Sequence, residues 1–191
     1  MLNRYLRPAL SLLVVMTVLL GLAYPLMITG IARLVMPEAA AGSLIYRDGQ
    51  LIGSGLIGQA FSDPKYFRGR PSATQPEAYN GLASGGSNLG PLNPALIEQV
   101  SGYIKELHAA DPDQGAPVPV DLVTTSASGL DPEISLAGAS YQVARIARAR
   151  GVEPTVVEKL IADHARGRVA GLIGENRVNV LALNLALDEL R

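Results

Sequence analysis

Ser84-Gly85-Gly86-Ser87-Asn88 sets two glycines among small polar side chains. That composition can turn several backbone N–H groups toward one point and hold an anion. Upstream, Arg68 and Arg70 in Arg-Gly-Arg-Pro could add guanidinium forks to a phosphate or carboxylate. The same five residues also suit a plain turn, with Gly85 and Gly86 taking positive φ and the Ser and Asn side chains satisfying the loop's own backbone. Phosphate loops usually run straight into a helix N-terminus. Here Leu89-Gly-Pro-Leu intervenes before Asn93, which favours the turn, but both readings stay open. A second set is Gln142 and Arg145, three apart on one helix, with Arg148 extending the row. It reads as a solvated basic stripe or as a docking edge for an acidic partner.

Other chemistry is thinly represented. His108 and His164 share no metal-ligand spacing, and each falls in the last turn of an expected helix, where a cation meets the helix dipole favourably. No metal site is expected. The chain holds no Cys, no Gly-x-x-x-x-Gly-Lys-Ser/Thr, no Gly-x-Ser-x-Gly, no Asp-Lys-Thr-Gly and no Thr-Val-Gly-Tyr-Gly. A hydrolase built on Ser84, Ser87 or His108 has nothing to link its parts. No catalytic residue is assigned.

These residues must be positioned by a soluble part that follows one long apolar segment. From Pro8 to Ala32 there is no charged residue, and about twenty apolar residues suffice to cross a bilayer. The run is too long for the apolar region of a cleaved leader, and Ala39-Ala40-Ala41-Gly42, which could imitate a cleavage site, lies well beyond its end. An uncleaved anchor is the reading taken, with Pro25 near the outer end, where a helix can kink or finish. Arg4 and Arg7 precede the span, so the positive-inside rule puts the N-terminus in the cytoplasm. Fourteen of the 16 basic and all 17 acidic residues follow Arg7, for a net charge of −3. So mildly acidic a domain, lacking a basic cluster, is a poor partner for nucleic acid.

Beyond the span, Ser43–Phe61 reads as a β-meander, with Asp48-Gly49 at a hairpin turn and Gly55–Phe61 as a third run. Residues 62–93 form a long ordered loop segment that has Tyr66, Phe67, Tyr79 and Leu82 to bury. Asn93-Pro94 caps and begins a helix that ends at Asp111-Pro112. Val118–Thr125 is an expected strand, Ser135–Arg150 and Pro154–Ala165 are expected helices, and Val178–Leu190 fits strand or helix, with Asn179 as a possible cap tilting it toward helix. The expected architecture is α+β: a cytoplasmic tip and transmembrane helix over 1–32, then one compact extracytoplasmic domain over 33–191 with a short β-meander and about four helices.

Several long segments carry a family resemblance. Arg-Pro-Ala-Leu-Ser (7–11), Tyr-Pro-Leu (24–26), Gly-Ser-Leu-Ile (42–45), Leu-Ile-Gly-Gln-x-Phe (56–61), Tyr-Phe-x-Gly-Arg-Pro-Ser-Ala-Thr (66–74), Ala-Ser-Gly-Gly-Ser-Asn-Leu (83–89), Asp-Leu-Val-Thr-x-Ser-Ala-Ser-Gly-Leu-Asp (121–131) and Leu-Asn-Leu-Ala-Leu-Asp (183–188) closely resemble the KdpC subunit of the Kdp potassium-transporting P-type ATPase. Glu133 departs from relatives that carry His or Asn there. The resemblance implies a single-pass protein of the bacterial inner membrane, an accessory subunit without catalysis of its own. Its partners would be the lipid bilayer, a potassium-pore subunit, a P-type ATPase subunit and a small membrane subunit, with potassium and phosphoryl transfer handled by those neighbours. The family's subunit is also described as a catalytic chaperone that binds ATP and raises the ATPase subunit's nucleotide affinity. On that alternative, Ser84, Gly85, Gly86, Ser87, Asn88, Gln142 and Arg145 are the nucleotide candidates. An outward-facing domain argues against direct contact with a cytoplasmic nucleotide.

Overall fold

The computed structural model describes residues 2–190 and divides into two compact units, one up to Ile52 and one from Gly53. The first begins with helix α1 (Leu2–Val18), a π-helical turn over Leu19–Ala23, and helix α2 (Tyr24–Val35). Together they make a continuous apolar rod. The stretch Arg4–Val35, 32 residues, is long and apolar enough to cross a membrane, and none of it is buried within the chain. At 1.5 Å per residue it spans roughly 48 Å, more than the hydrocarbon core needs.

Pro25 does not end this helix. The Tyr24 N–H bonds to the Leu19 carbonyl, a five-residue step. The widened turn accommodates a ring that has no N–H to donate and would clash with a regular preceding turn. A single-turn helix, α3 (Pro37–Ala40), leads to strands β1 (Leu44–Arg47) and β2 (Gln50–Ser54). Asp48 (φ 52°) and Gly49 (φ 77°) both lie in the left-handed region that a two-residue hairpin turn requires. The expected third run does not join as a strand. In Gly55–Phe61 the Gly58 N–H bonds to the Leu130 carbonyl at 2.9 Å, and the Gly55 carbonyl accepts from Asn179 Nδ2 at 2.9 Å. The meander is therefore a two-stranded hairpin.

The second unit contains α4 (Pro94–Ala110), α5 (Leu136–Tyr141), α6 (Val143–Arg150), α7 (Pro154–His164) and α8 (Val180–Glu189), with short strands β3 (Glu133–Ser135) and β4 (Arg177–Asn179). β3 and β4 pair antiparallel, Ile134 opposite Val178. The fold is α+β, as expected, with very little sheet. Its core gathers Phe67 from the long loop, Ile134 and Val178 from the strand pair, and Ile146, Val157, Leu183 and Leu187 from the helices, all of them fully buried.

Three local expectations change. Val118–Thr125 forms no strand; a 3-10 turn occupies Val120–Leu122, following Pro119. Asp121 there accepts from the Ser135 N–H at 2.7 Å, so its side chain turns toward the start of α5. The single helix expected over 135–150 breaks at Gln142, whose N–H takes the Ala139 carbonyl in a tighter step. The C-terminal ambiguity resolves into both alternatives in succession, strand to Asn179 and helix from Val180. Asn179 is the hinge between them. Its Oδ1 caps α8 by accepting from the Ala182 N–H at 3.0 Å, while its Nδ2 reaches Gly55.

Asn93 caps α4 in the same way, accepting from Ala95, but is exposed and makes no long-range bond. Asn93→Ala should therefore cost about 1 kcal/mol of unfolding free energy, and Asn179→Ala about 2 kcal/mol because it also strips the Gly55 carbonyl of its donor. Equal losses in denaturant titrations of the full chain would count against the double role of Asn179.

Candidate functional site

The segment from Pro64 to Arg68 crosses the helices without joining any strand, yet its polar backbone is satisfied. Two carboxamides do most of this. Asn184, 2 % exposed on α8, accepts from the Phe67 N–H at 2.8 Å and donates back to the Phe67 carbonyl at 3.0 Å. Gln142, also 2 % exposed, accepts from the Arg68 N–H at 2.8 Å and donates to the Arg68 carbonyl at 3.1 Å and to Gly138 at 3.1 Å. Each amide thus offers one residue what a neighbouring strand would offer.

Arg145 completes the arrangement. Its guanidinium donates to the carbonyls of Pro64 and Tyr66 and to Gln142 Oε1 at 2.7 Å. Burial, with the Arg68 guanidinium nearby, pushes Arg145 down to about 10, so it remains a cation at neutral pH. One turn further, Arg150 donates from Nε to the Lys65 carbonyl at 2.8 Å, and pairs with Asp188 at 2.8 Å. Asp188 also accepts from the Tyr66 hydroxyl at 2.9 Å. Hence the row read as a solvated stripe is largely an inward-facing cradle. Gln142 and Arg145 are buried because a strandless loop needs donors and acceptors from a helix. Arg148 alone is exposed, and it bonds to buried Asp111 and to Asp113.

The glycine-rich loop is bound elsewhere. The Gly85 N–H donates to the Ser128 carbonyl at 2.9 Å, Ser84 Oγ donates to the same carbonyl at 3.0 Å, and Thr125 Oγ1 donates to Ser87 Oγ at 3.3 Å. A Cβ on Gly86 would stand 2.9 Å from the Ala127 carbonyl oxygen. So Gly86 is required for close approach of the 124–129 segment. Neither Gly85 nor Gly86 takes positive φ, correcting the turn geometry expected of them; Asn88 does, at 52°. Gly129, at φ 68°, is the glycine with a conformational need, and a Cβ there would meet the Gly85 carbonyl oxygen at 2.7 Å. No hydrogen bond joins Ser84–Asn88 to Gln142 or Arg145 among the described residues.

Arg70 secures a third junction. It pairs with Asp131 at 3.1 Å and donates to the Thr125 carbonyl at 3.2 Å, while its own carbonyl accepts from the Tyr79 hydroxyl at 2.5 Å. Burial, helped by the Asp131 charge, pushes Tyr79 up to about 12. Glu133 pairs with Arg177 at 2.6 Å across the β3–β4 strands, which gives this departure from the family pattern a structural partner. His108 and His164 do sit in terminal helical turns, His164 Nδ1 bonding within its own helix to Leu160 at 2.9 Å. No group of His, Cys, Asp or Glu suited to a metal ion occurs among the described residues. Asn184 and Arg150 are the residues of the cradle that pattern reading missed, and Asn184 left a trace in the residue order. Its signal was a lone amide within an otherwise apolar helix, Leu-Asn-Leu-Ala-Leu.

Gln142→Leu and Asn184→Leu each leave a buried N–H and C=O pair without a partner, so each should lower unfolding free energy by about 2–4 kcal/mol. Losses under about 0.5 kcal/mol in denaturant titrations would contradict the cradle. Tyr79 gives a pH signature. Its folded value, about 12, lies above the ordinary 10.0, so its stabilising contribution is whole below pH 10 and lost as pH rises through 12. Tyr79→Phe should therefore flatten the alkaline loss of stability across that window. Arg145 acts in the opposite sense there but is common to both proteins and cancels in the difference. Parallel curves would exclude this assignment.

The whole chain has relatives. Residues 6–189 match the family described as KdpC: K+-transporting ATPase, c chain. The Potassium-transporting ATPase KdpC subunit of Polaromonas naphthalenivorans (strain CJ2) is 62% identical over 186 residues, covering 97% of this chain and 95% of that protein. That of Sorangium cellulosum (strain So ce56) is 59% identical, covering 98% of each. That of Methylococcus capsulatus (strain ATCC 33009 / NCIMB 11132 / Bath) is 55% identical over the full length of both. With the match spanning the apolar rod, the hairpin, the clamped loop and the helices, this chain belongs to the KdpC family.

Proposed function

We propose that this chain is the accessory, non-catalytic subunit of an ATP-driven, high-affinity potassium uptake complex of the bacterial inner membrane. It stabilises the assembly of the pore subunit with the P-type ATPase subunit and a small membrane subunit. The observation that carries this reading is the end-to-end family match over residues 6–189. The described structure agrees with a bracing role: the buried side chains of Gln142, Arg145 and Asn184 are engaged in holding the chain's own loop.

The apolar rod is the membrane anchor in this reading. Arg4 and Arg7 keep its N-terminus in the cytoplasm, and the unit beginning at Gly53 lies outside. Potassium selection and phosphoryl transfer belong to the neighbouring subunits. Influence on ATP handling is then a coupling transmitted through the complex rather than a shared nucleotide, since a ligand acts at a distance only through differential affinity for two states. The amides and guanidinium of Gln142 and Arg145 are committed to the Pro64–Arg68 backbone, which supports a structural role for both. The loop Ser84–Asn88 remains the residue set on which an ATP-binding role would rest.

Leu82, expected among the buried residues of the long loop, is instead 99 % exposed two residues before Ser84–Asn88, and the chain contains no Cys. Leu82→Cys in the assembled complex should therefore react with a membrane-impermeant maleimide in spheroplasts, and protection until the membrane is opened would reverse the orientation. Removing residues 7–31 should abolish co-purification with the other subunits. Undiminished co-purification would sink the anchoring part of the reading.

A further inference from the structure

A cleft of about 480 Å3 opens between α4 and the loop that carries Gln59–Tyr79, within the usual size range for small-ligand sites. Phe61, Tyr79, Tyr103, Leu107 and Leu122 make much of its wall apolar. Two guanidinium groups also line it, and they differ. Arg70 is neutralised by Asp131 and bonds to the Thr125 carbonyl. Arg68 has one long side-chain bond, from Nη2 to the Ser62 carbonyl at 3.4 Å. No carboxylate among the described residues pairs with it; its buried Nε has no partner, as is also true of Arg70 Nε, so the missing carboxylate is what sets Arg68 apart. Gln142 holds the Arg68 backbone N–H and carbonyl, and the burial of Nε keeps the base of the guanidinium at the cleft wall. A cation fixed at an apolar wall with donors unmet lacks an acceptor. The planar acceptor that suits a guanidinium fork is a carboxylate.

Glu106 lines the same cleft without an ion pair to Arg68. Its charge weakens the pull of Arg68 on any anion and does so more for a dianion, so a monoanion fits better than a phosphate ester or nucleotide. We infer that this cleft binds a carboxylate carried on an apolar body, with Arg68 as its counter-charge and the Phe61, Tyr103 and Leu122 side chains against the apolar part. Such a group can be a free solute or an Asp or Glu side chain from a neighbouring subunit.

Equilibrium dialysis of labelled benzoate against the full-length chain in detergent tests this. Saturable uptake is expected, at least tenfold weaker in Arg68→Gln, a substitution that leaves the backbone clamp by Gln142 in place. Should that variant unfold, Glu106→Gln serves instead: this exposed change removes the opposing charge and should tighten uptake. Repeating the measurement on the assembled complex separates the sources. Uptake abolished by assembly assigns the carboxylate to a neighbouring chain; uptake retained assigns it to a free solute; both uphold the site. No saturable uptake by the full-length chain, or uptake indifferent to whichever of the two substitutions is tested, overturns it.

Discussion

The second unit depends on an exchange in which side-chain amides replace a β-strand. The loop from Pro64 to Arg68 brings Phe67, fully buried, into the core. Burying Phe67 takes the N–H and C=O groups beside it out of water, where each must be paired, and an unpaired one costs about 1–3 kcal/mol. Asn184 and Gln142 each supply a donor and an acceptor at hydrogen-bonding distance, so the apolar anchor can be buried without a sheet around it. The guanidinium groups of Arg145 and Arg150 extend the same service to Pro64, Lys65 and Tyr66. These four side chains come from α6, α8 and the break preceding α6, so the loop fastens helices that lie far apart in sequence.

The break at Gln142 follows from this constraint. A regular helix over 135–150 would have run through that residue. Instead the backbone tightens there, and the Gln142 amide reaches Arg68 and Gly138 together. The second junction, between Ser84–Asn88 and 124–129, works differently. It relies on the missing side chains of Gly86 and Gly129 to let two loops approach at backbone distance, with serine and threonine hydroxyls filling the seam. A glycine-rich composition therefore has two physical explanations in loops of this kind, anion binding and close packing, and here the contacts are those of close packing.

Membership in the KdpC family gives this architecture its setting. The family match supports an accessory, non-catalytic role in a potassium-transporting ATPase complex. In the second unit several buried polar side chains serve internal order, and in the first the apolar rod is long enough to cross a membrane and is not buried within the chain. In the cleft beside α4, Arg68 makes one long bond to the Ser62 carbonyl and no carboxylate pair among the described residues.

Much was legible in the residue order because it depends on local rules. The apolar run gave the rod, Asp48-Gly49 gave the hairpin, Asn93-Pro94 gave the start of α4, and the small share of sheet in an α+β fold could be seen from short β-like stretches. These features are decided by composition, period and turn stereochemistry over a few residues. What required the tertiary structure was the use of polar groups across long separations. Gln142 and Arg145 looked like solvated positions, because their spacing says only that they share a helix face. Which face turns inward is decided by a loop more than seventy residues earlier that needs their hydrogen bonds. Val118–Thr125 had the composition of a strand but turns after Pro119 into a 3-10 step that brings Asp121 to the Ser135 N–H, and Gly85-Gly86 had the composition of a left-handed turn but was shaped by the segment lying against it. Local stereochemistry is written in neighbouring residues; the pairing of buried polar groups is settled only when distant segments meet.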